Sequence, residues 1–219
     1  MRIALLAMSD RNGTLQEAAR LAGGLAHVAE THLFLPAHAE RDVSCDARVT
    51  RHSLSFWRKD ASTWRKRLAM GNPWLHADHA KRIRRVDPDV VHLLDPQATH
   101  ALMIPLLGRP TCLSLHGAEL PSALGEPSRR EDSHWEHSHR EHSHRESSLR
   151  EFLITRSLLM VDQLICRDPR GTDVLRERGF PAERLAHATI VEDPLALLAV
   201  YRQLIARLRA NAGHPLQSA

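Results

Sequence analysis

Cysteine is scarce. Cys45, Cys112 and Cys166 are the chain's three, far apart among 219 residues and without CxxC spacing. They offer no disulfide framework and fit a reducing, cytoplasmic setting. Cys112 and Cys166 each lie inside an apolar run, where a buried thiol is expected. Long apolar runs are missing as well: "ALMIPLLG" is too short to span a bilayer, which takes about 18 residues, and carries Pro105. No secretory signal opens the chain, because Ser9, Asp10, Arg11 and Asn12 end the run after Arg2 too early. Charge of one sign is missing too. The net charge is +4, with acids and bases interleaved over most of the length, against the one-sided basic surface of a nucleic-acid binder. The expectation is a soluble protein that binds no nucleic acid and at most rests on a membrane surface.

What is present is enough for one well-buried domain, or two small ones at most. "RIALLAM" has the look of a strand buried on both faces. In "TLQEAARLAGGLAHVA", Leu15, Ala18, Ala19, Ala22 and Leu25 share one helical face, with Thr14 as cap and Glu17 three residues later. "THLFL", a short strand in "RVTRHSL", "DVVHLL", "TCLSL", "DQLIC" and "RLAHATI" continue the strands. Helices are expected through "FWRKDASTWRKRLAM", "PWLHADHAKRIRRV", "PQATHALMIPLL", "DPRGTDVLRERGF" and "DPLALLAVYRQLIARLRANAG". The last two begin Asp-Pro, a cap followed by a first-turn proline. Strands alternating with helices imply parallel pairing. The fold class is therefore α/β, a single doubly wound, mostly parallel sheet flanked by helices. Ligands of such sheets sit beyond the carboxyl ends of the strands, which singles out Ser9 to Gly13, Asp95 to Gln97 and His116 to Glu119.

"VDPDVVHLLDPQATHAL" followed by "PTCLSLHGAEL" resembles the amino-terminal Rossmann-like domain of family 4 glycosyltransferases, which have the two-domain GT-B fold. There a "PDVVHxHD" strand is followed one unit later by a strand ending in "HG" or "HD". "VDQLICRDPRGTDVLRERGFPAERLAHATI" is similar to the family's next block, and the resemblance covers most of residues 1–190. It implies a catalytic place for His116, beside the transferred sugar, with Gly117 allowing close backbone approach. Substrate-binding candidates are Asp95, Gly117, Glu119, Asn12 and Gly13. Asp95, before Pro96, reads equally as an ordinary helix cap or as a carboxylate that orients acceptor hydroxyls.

The departures are informative. The family's first loop carries paired glycines; "SDRNGTLQE" has Gly13 alone, better read as the turn before a helix, and Gly23 and Gly24 fall mid-helix. The family grips its nucleotide-sugar in a second domain, with basic side chains and an E-x7-E pair. No glutamate in residues 160–219 has another eight positions later, and a single helix follows Ile190. The expected layout is thus a domain over 1–190, with a His-rich helical insertion at 131–148, and a terminal helix and tail over 191–219 packing back on it. No cofactor is built in; a nucleotide-sugar is the donor if the chain is active. Leaving-group diphosphate must be neutralised by placed cations or helix amino ends, so a donor-domain subunit is an expected partner, with a carbohydrate or lipid-linked acceptor.

Two stretches carry other readings. "EDSHWEHSHREHSHRESSLRE" repeats a five-residue unit opening with Glu. His134 with His137, and His139 with His142, are i, i+3 pairs that suit Zn, Ni or Cu. A period of five turns each unit by about 140° on a helix, so these imidazoles spread rather than converge. Glu-to-Arg pairs at i, i+4 favour a solvated helix instead, and Leu149, Phe152, Leu153 and Leu159 supply an apolar face beyond it. Over residues 54–68, Leu54, Trp57, Ala61, Trp64 and Leu68 form a stripe bordered by arginines and lysines. It reads as a helix packed on the sheet or as a peripheral contact with the inner face of a membrane. The leading expectation is the acceptor-side half of a glycosyl-transfer site. A non-catalytic carbohydrate- or metabolite-binding module and a His-rich metal-binding protein are the alternatives.

Overall fold

The structure, a computed structural model, describes residues 1–8, 12–39, 42–55, 72–95, 97, 100–115, 152–166, 169–187 and 193–212. In chain order the elements are β1 (Arg2–Leu6), α1 (Asn12–Leu25), β2 (Glu30–Pro36), β3 (Thr50–Leu54), α2 (Pro73–Arg85), β4 (Val90–Leu93), α3 (His100–Leu107) and β5 (Thr111–Leu115). Then follow α4 (152–160), β6 (Gln163–Cys166), α5 (Pro169–Glu177), a 3-10 turn (Ala182–Arg184), β7 (Leu185–His187) and α6 (Pro194–Ala212). The strands form one seven-stranded sheet in the order β3-β2-β1-β4-β5-β6-β7. Every pairing is parallel. This is the doubly wound α/β sheet expected from the alternation of elements.

The two faces follow from strand alternation. Ile3, Leu5, Leu33, Leu35, Val90, Cys112 and Ile165 pack under α1 and α6. Ala4, Leu6, Phe34, Leu54, Val91, Leu93, Leu113 and Leu164 pack under α2, α3, α4 and α5. Leu15, Ala18, Ala19, Ala22 and Leu25 are all buried, as the apolar stripe of α1 requires. Cys112 and Cys166 are buried, and Cys45 is a half-buried free thiol. Asn72 caps α2 by accepting from the Trp74 N–H. Asp193 caps α6 by accepting from Leu195 and Ala196 N–H. Gly179, with φ of +85°, closes α5 in the left-handed conformation that glycine tolerates.

Two local expectations change. Helix α1 begins at Asn12, so Thr14 and Gly13 lie inside its first turn rather than at its cap and preceding turn. In α4, Phe152 and Leu159 are 58% and 59% exposed, while Ile154, Ser157 and Leu158 face inward. The i, i+3, i+4 set 154, 157 and 158 continues into buried Val161, which joins the same core, so that register is the one the sheet selects. The helix expected over 54–68 and the histidine repeat lie outside the described residues, Leu54 of β3 and Ser55 apart.

One of the two mid-helix glycines, Gly24, has a packing reason. A Cβ on Gly24 would sit 2.7 Å from Cγ of Pro194, the first residue of α6. Ordinarily Gly→Ala inside a helix gains about 1 kcal/mol. Here Gly24→Ala is expected to lose about 1–3 kcal/mol by overpacking, and to regain the sign of the helical gain when Pro194 is also replaced by Ala. Urea unfolding of the two single variants and the double variant checks both signs.

Candidate functional site

The strand order reverses between β1 and β4: the chain steps outward from β1 to β2 and β3, then returns to the other side of β1. At such a switch point the connections leave in opposite directions, and a crevice opens at the carboxyl edge. The amino ends of α1 and α3 follow β1 and β4 at this same edge, bringing backbone N–H groups and positive dipole ends toward it.

Aspartates at both ends of β4 hold it to β1. At the amino end, Asp89 Oδ2 accepts from the Arg2 N–H at 2.7 Å. At the carboxyl end, Asp95 Oδ1 accepts from the Met8 N–H at 3.3 Å, while Oδ2 accepts from the Gln97 side-chain amide at 2.5 Å. Asp95 is 3% exposed. It braces the two loops that form the crevice floor, and it does so across 87 residues of chain, a pairing that its place before Pro96 does not disclose. The brace extends one step further: the Gln97 backbone N–H donates to His100 Nδ1. That bond leaves the ring proton on Nε2, which is buried without a hydrogen-bond partner among the described residues. Burial, with some help from nearby His76, pushes the His100 imidazole down to about 3.

More histidine is buried here than the sequence reading singled out. His76 and His79 lie on the inner face of α2. Burial first, and then His76, depresses His79 to about 4. His92, in β4, points to the other face, where Nδ1 meets the Tyr201 hydroxyl at 2.6 Å and Nε2 meets Ser114 Oγ at 2.7 Å. Burial takes it down to about 3. His79, His92 and His100 are neutral, structural imidazoles. The continuous apolar run around β4 could have flagged His92 as buried, but nothing local names a tyrosine 109 residues away as its partner.

Of the residues singled out earlier, Asp95 follows β4 with both oxygens engaged, and Asn12 and Gly13 open α1 after β1. His116, Gly117 and Glu119 lie outside the described residues, His116 being next in the chain after Leu115 at the end of β5. His134, His137, His139 and His142 also lie outside them. Among the described residues no group of three or more His, Cys, Asp or Glu side chains is placed to hold a metal ion. None of the described helices is long and apolar enough to cross a membrane.

No protein-family model matches the chain, and no curated protein matches it. Solved structures do. The UDP-GlcNAc 2-epimerase of Neisseria meningitidis, bound to UDP-GlcNAc, superposes with a TM-score of 0.55 at 10% identity, over 96% of this chain and 52% of the epimerase. The UDP-N-acetylglucosamine 2-epimerase of Rickettsia bellii gives 0.54 at 11% identity, over 95% and 48%. A ugt transferase of Siraitia grosvenorii, in complex with UDP, gives 0.53 at 12% identity, over 84% and 50%. The chain thus has a Rossmann-like, GT-B-type fold and spans about half the length of the solved structures it matches. At these identities the likeness is one of fold, and epimerase and transferase share it.

Proposed function

We propose that this chain forms the acceptor-side wall of a sugar-nucleotide crevice of the family 4 glycosyltransferase kind, and that glycosyl transfer needs a second, donor-gripping domain that residues 1–219 do not contain. The observation that carries the reading is the register of its motifs on the sheet. "PDVVHLLD" is β4 with its two bracing aspartates, and "TCLSL" is β5, its parallel neighbour, so the described parts of both motifs run toward the carboxyl edge, with His116 next in sequence after β5. The epimerase bound to UDP-GlcNAc and the transferase in complex with UDP share this architecture over about half their length.

In this reading His116 stands beside the transferred sugar and Gly117 allows the backbone close to it. Glu119 and the amino end of α1, at Asn12 and Gly13, complete the wall. Asp95 acts as a positioning residue: its oxygens hold the β1 and β4 loops rather than the ligand. The diphosphate leaving group carries charge that one helix amino end neutralises only in part, so the remaining cations come from the donor-gripping domain. The acceptor is a carbohydrate or a lipid-linked sugar. Assembly next to a membrane through the rest of the 54–68 stripe, Leu54 being buried in β3, fits the second of these.

The test is release of free nucleotide from a panel of nucleotide-sugars, with the full chain alone and with cell extract added. Release above background is expected only with extract, and His116→Ala should lower it at least about 100-fold, as loss of a group acting in the transition state does. Unchanged release in a folded His116→Ala protein removes His116 from the mechanism.

A further inference from the structure

Away from the carboxyl-edge crevice, a cleft of about 510 Å3 opens beside the edge strand β3, on the α2 side of the sheet. Its walls include Phe34, His52, Asp78, Arg82 and Arg85. None of these belongs to the crevice described above. The volume lies within the range of small-molecule sites, roughly 300–1,000 Å3.

A chain of titratable groups ends in this cleft. Glu30 Oε1 meets His32 Nε2 at 3.0 Å, and His32 Nδ1 meets His52 Nε2 at 2.9 Å. His32 is 8% exposed, so the middle of the relay is shielded while Glu30 reaches solvent. The His52 ring is stacked on Phe34, its register partner, at 4.5 Å between centroids. Hydrogen bonds from His32 first, and then from Arg2, hold the Glu30 carboxyl below its usual range. Glu30 therefore stays a carboxylate and keeps a proton on His32 Nε2. In the neutral relay His52 Nε2–H donates to His32 Nδ1, and His52 Nδ1 has a bare lone pair. One added proton lands on that Nδ1, and its charge is shared through His32 toward Glu30.

The opposite wall is cationic. Arg82 and Arg85 lie one turn apart in the last turns of α2, and Asp78 offsets one of them through a 2.8 Å pair with Arg82. Complementing the helix dipole accounts for basic residues at that end. It does not account for a carboxylate–imidazole–imidazole relay delivered to the same cleft. Together they set guanidinium donors across from a nitrogen that gains an N–H by taking up a proton. We propose that this cleft binds a small dianionic ligand of the phosphate-monoester class, held by Arg82 and Arg85 and by a proton taken up at His52.

The charged groups around His52 are His32 and Glu30 from β2, with Arg2 from β1 on Glu30, Arg51 from its own strand, and Asp78, Arg82 and Arg85 from α2. Arg51 also donates to the Val43 carbonyl, at 3.4 Å. Burial, and then His32, keeps the unliganded His52 below the ordinary imidazole value, so it is neutral at pH 7. Binding then takes up a proton, and affinity falls as pH rises, by up to about tenfold per pH unit for one proton.

Inorganic phosphate and sulfate, the latter a dianion at every pH used, are titrated into the full chain. Histidine ring resonances and the thermal midpoint are the readouts. The expected result is saturable binding with Kd in the millimolar range, or roughly −4 kcal/mol, with ring shifts at His52 and His32. Sulfate should bind about five- to tenfold tighter at pH 6 than at pH 7. R82Q/R85Q should weaken binding at least about tenfold, and the exposed Arg82–Asp78 pair costs little to remove, so the fold is kept. R85Q alone serves if the double variant does not fold. No saturable response, an unchanged response in the arginine variants, or sulfate affinity that ignores pH each overturns the proposal.

Discussion

Acidification is expected to unfold this protein well before its carboxylates are titrated. His92 and His100 are buried and neutral, both pushed down to about 3 by desolvation. In the unfolded chain each titrates near 6.5. Between those values the unfolded state binds more protons than the native one, so stability rises with pH across this window. The contribution of the two imidazoles is fully present above about pH 6.5 and is lost as pH falls toward 3. Each costs about 1.4 kcal/mol per pH unit, or roughly 3 kcal/mol per unit together. Native domains hold only about 5–15 kcal/mol, so about two units of acid removes a reserve at the lower end of that range. Urea midpoints measured from pH 7.5 to 4.5 should stay level to about pH 6.5 and then drop steeply. A level midpoint down to pH 4.5 means that these imidazoles are charged or solvated in the native state.

The second large effect is expected at Tyr201. Its ring is fully buried in α6, and its hydroxyl meets His92 across the sheet's α1 face. Tyr201→Phe leaves one ring nitrogen of His92 unsatisfied in the core, at about 1–3 kcal/mol. Tyr201→Ala adds the loss of a large side chain, for about 3–5 kcal/mol in total. Because Leu197, Leu198, Tyr201 and Leu204 are the buried stripe of α6, the alanine variant should also release that helix from α1. Faster amide exchange from 197 to 204, ahead of global unfolding, is the signature. If Tyr201→Phe unfolds within about 0.3 kcal/mol of the parent, the hydrogen bond carries no net stability.

Much of the architecture was legible because it is written locally. "RIALL", "THLFL" and "TCLSL" are continuous apolar strands of a sheet covered on both faces. The α1 stripe and the Asp193-Pro194 start of α6 carry their own signals. What escaped reading is long-range. Asp95 had two equal local explanations, and only the proximity of Met8 shows that it braces the crevice floor. His92 needs Tyr201, and His32 needs His52 and Glu30. In α4 two apolar stripes competed, and contact with the sheet selected Ile154 and Leu158 over Phe152 and Leu159.

The fold also bounds the chemistry. A parallel sheet with one strand reversal offers one carboxyl-edge crevice, and here its floor is pinned by aspartate hydrogen bonds rather than left open. A pinned floor suits a wall that presents a ligand to a second domain. The decisive measurement is equilibrium binding of UDP- and GDP-sugars to the full chain by itself, followed for turnover. The account predicts no saturable binding tighter than about 1 mM and no transfer. Micromolar binding with glycosyl transfer by the chain alone would contradict it.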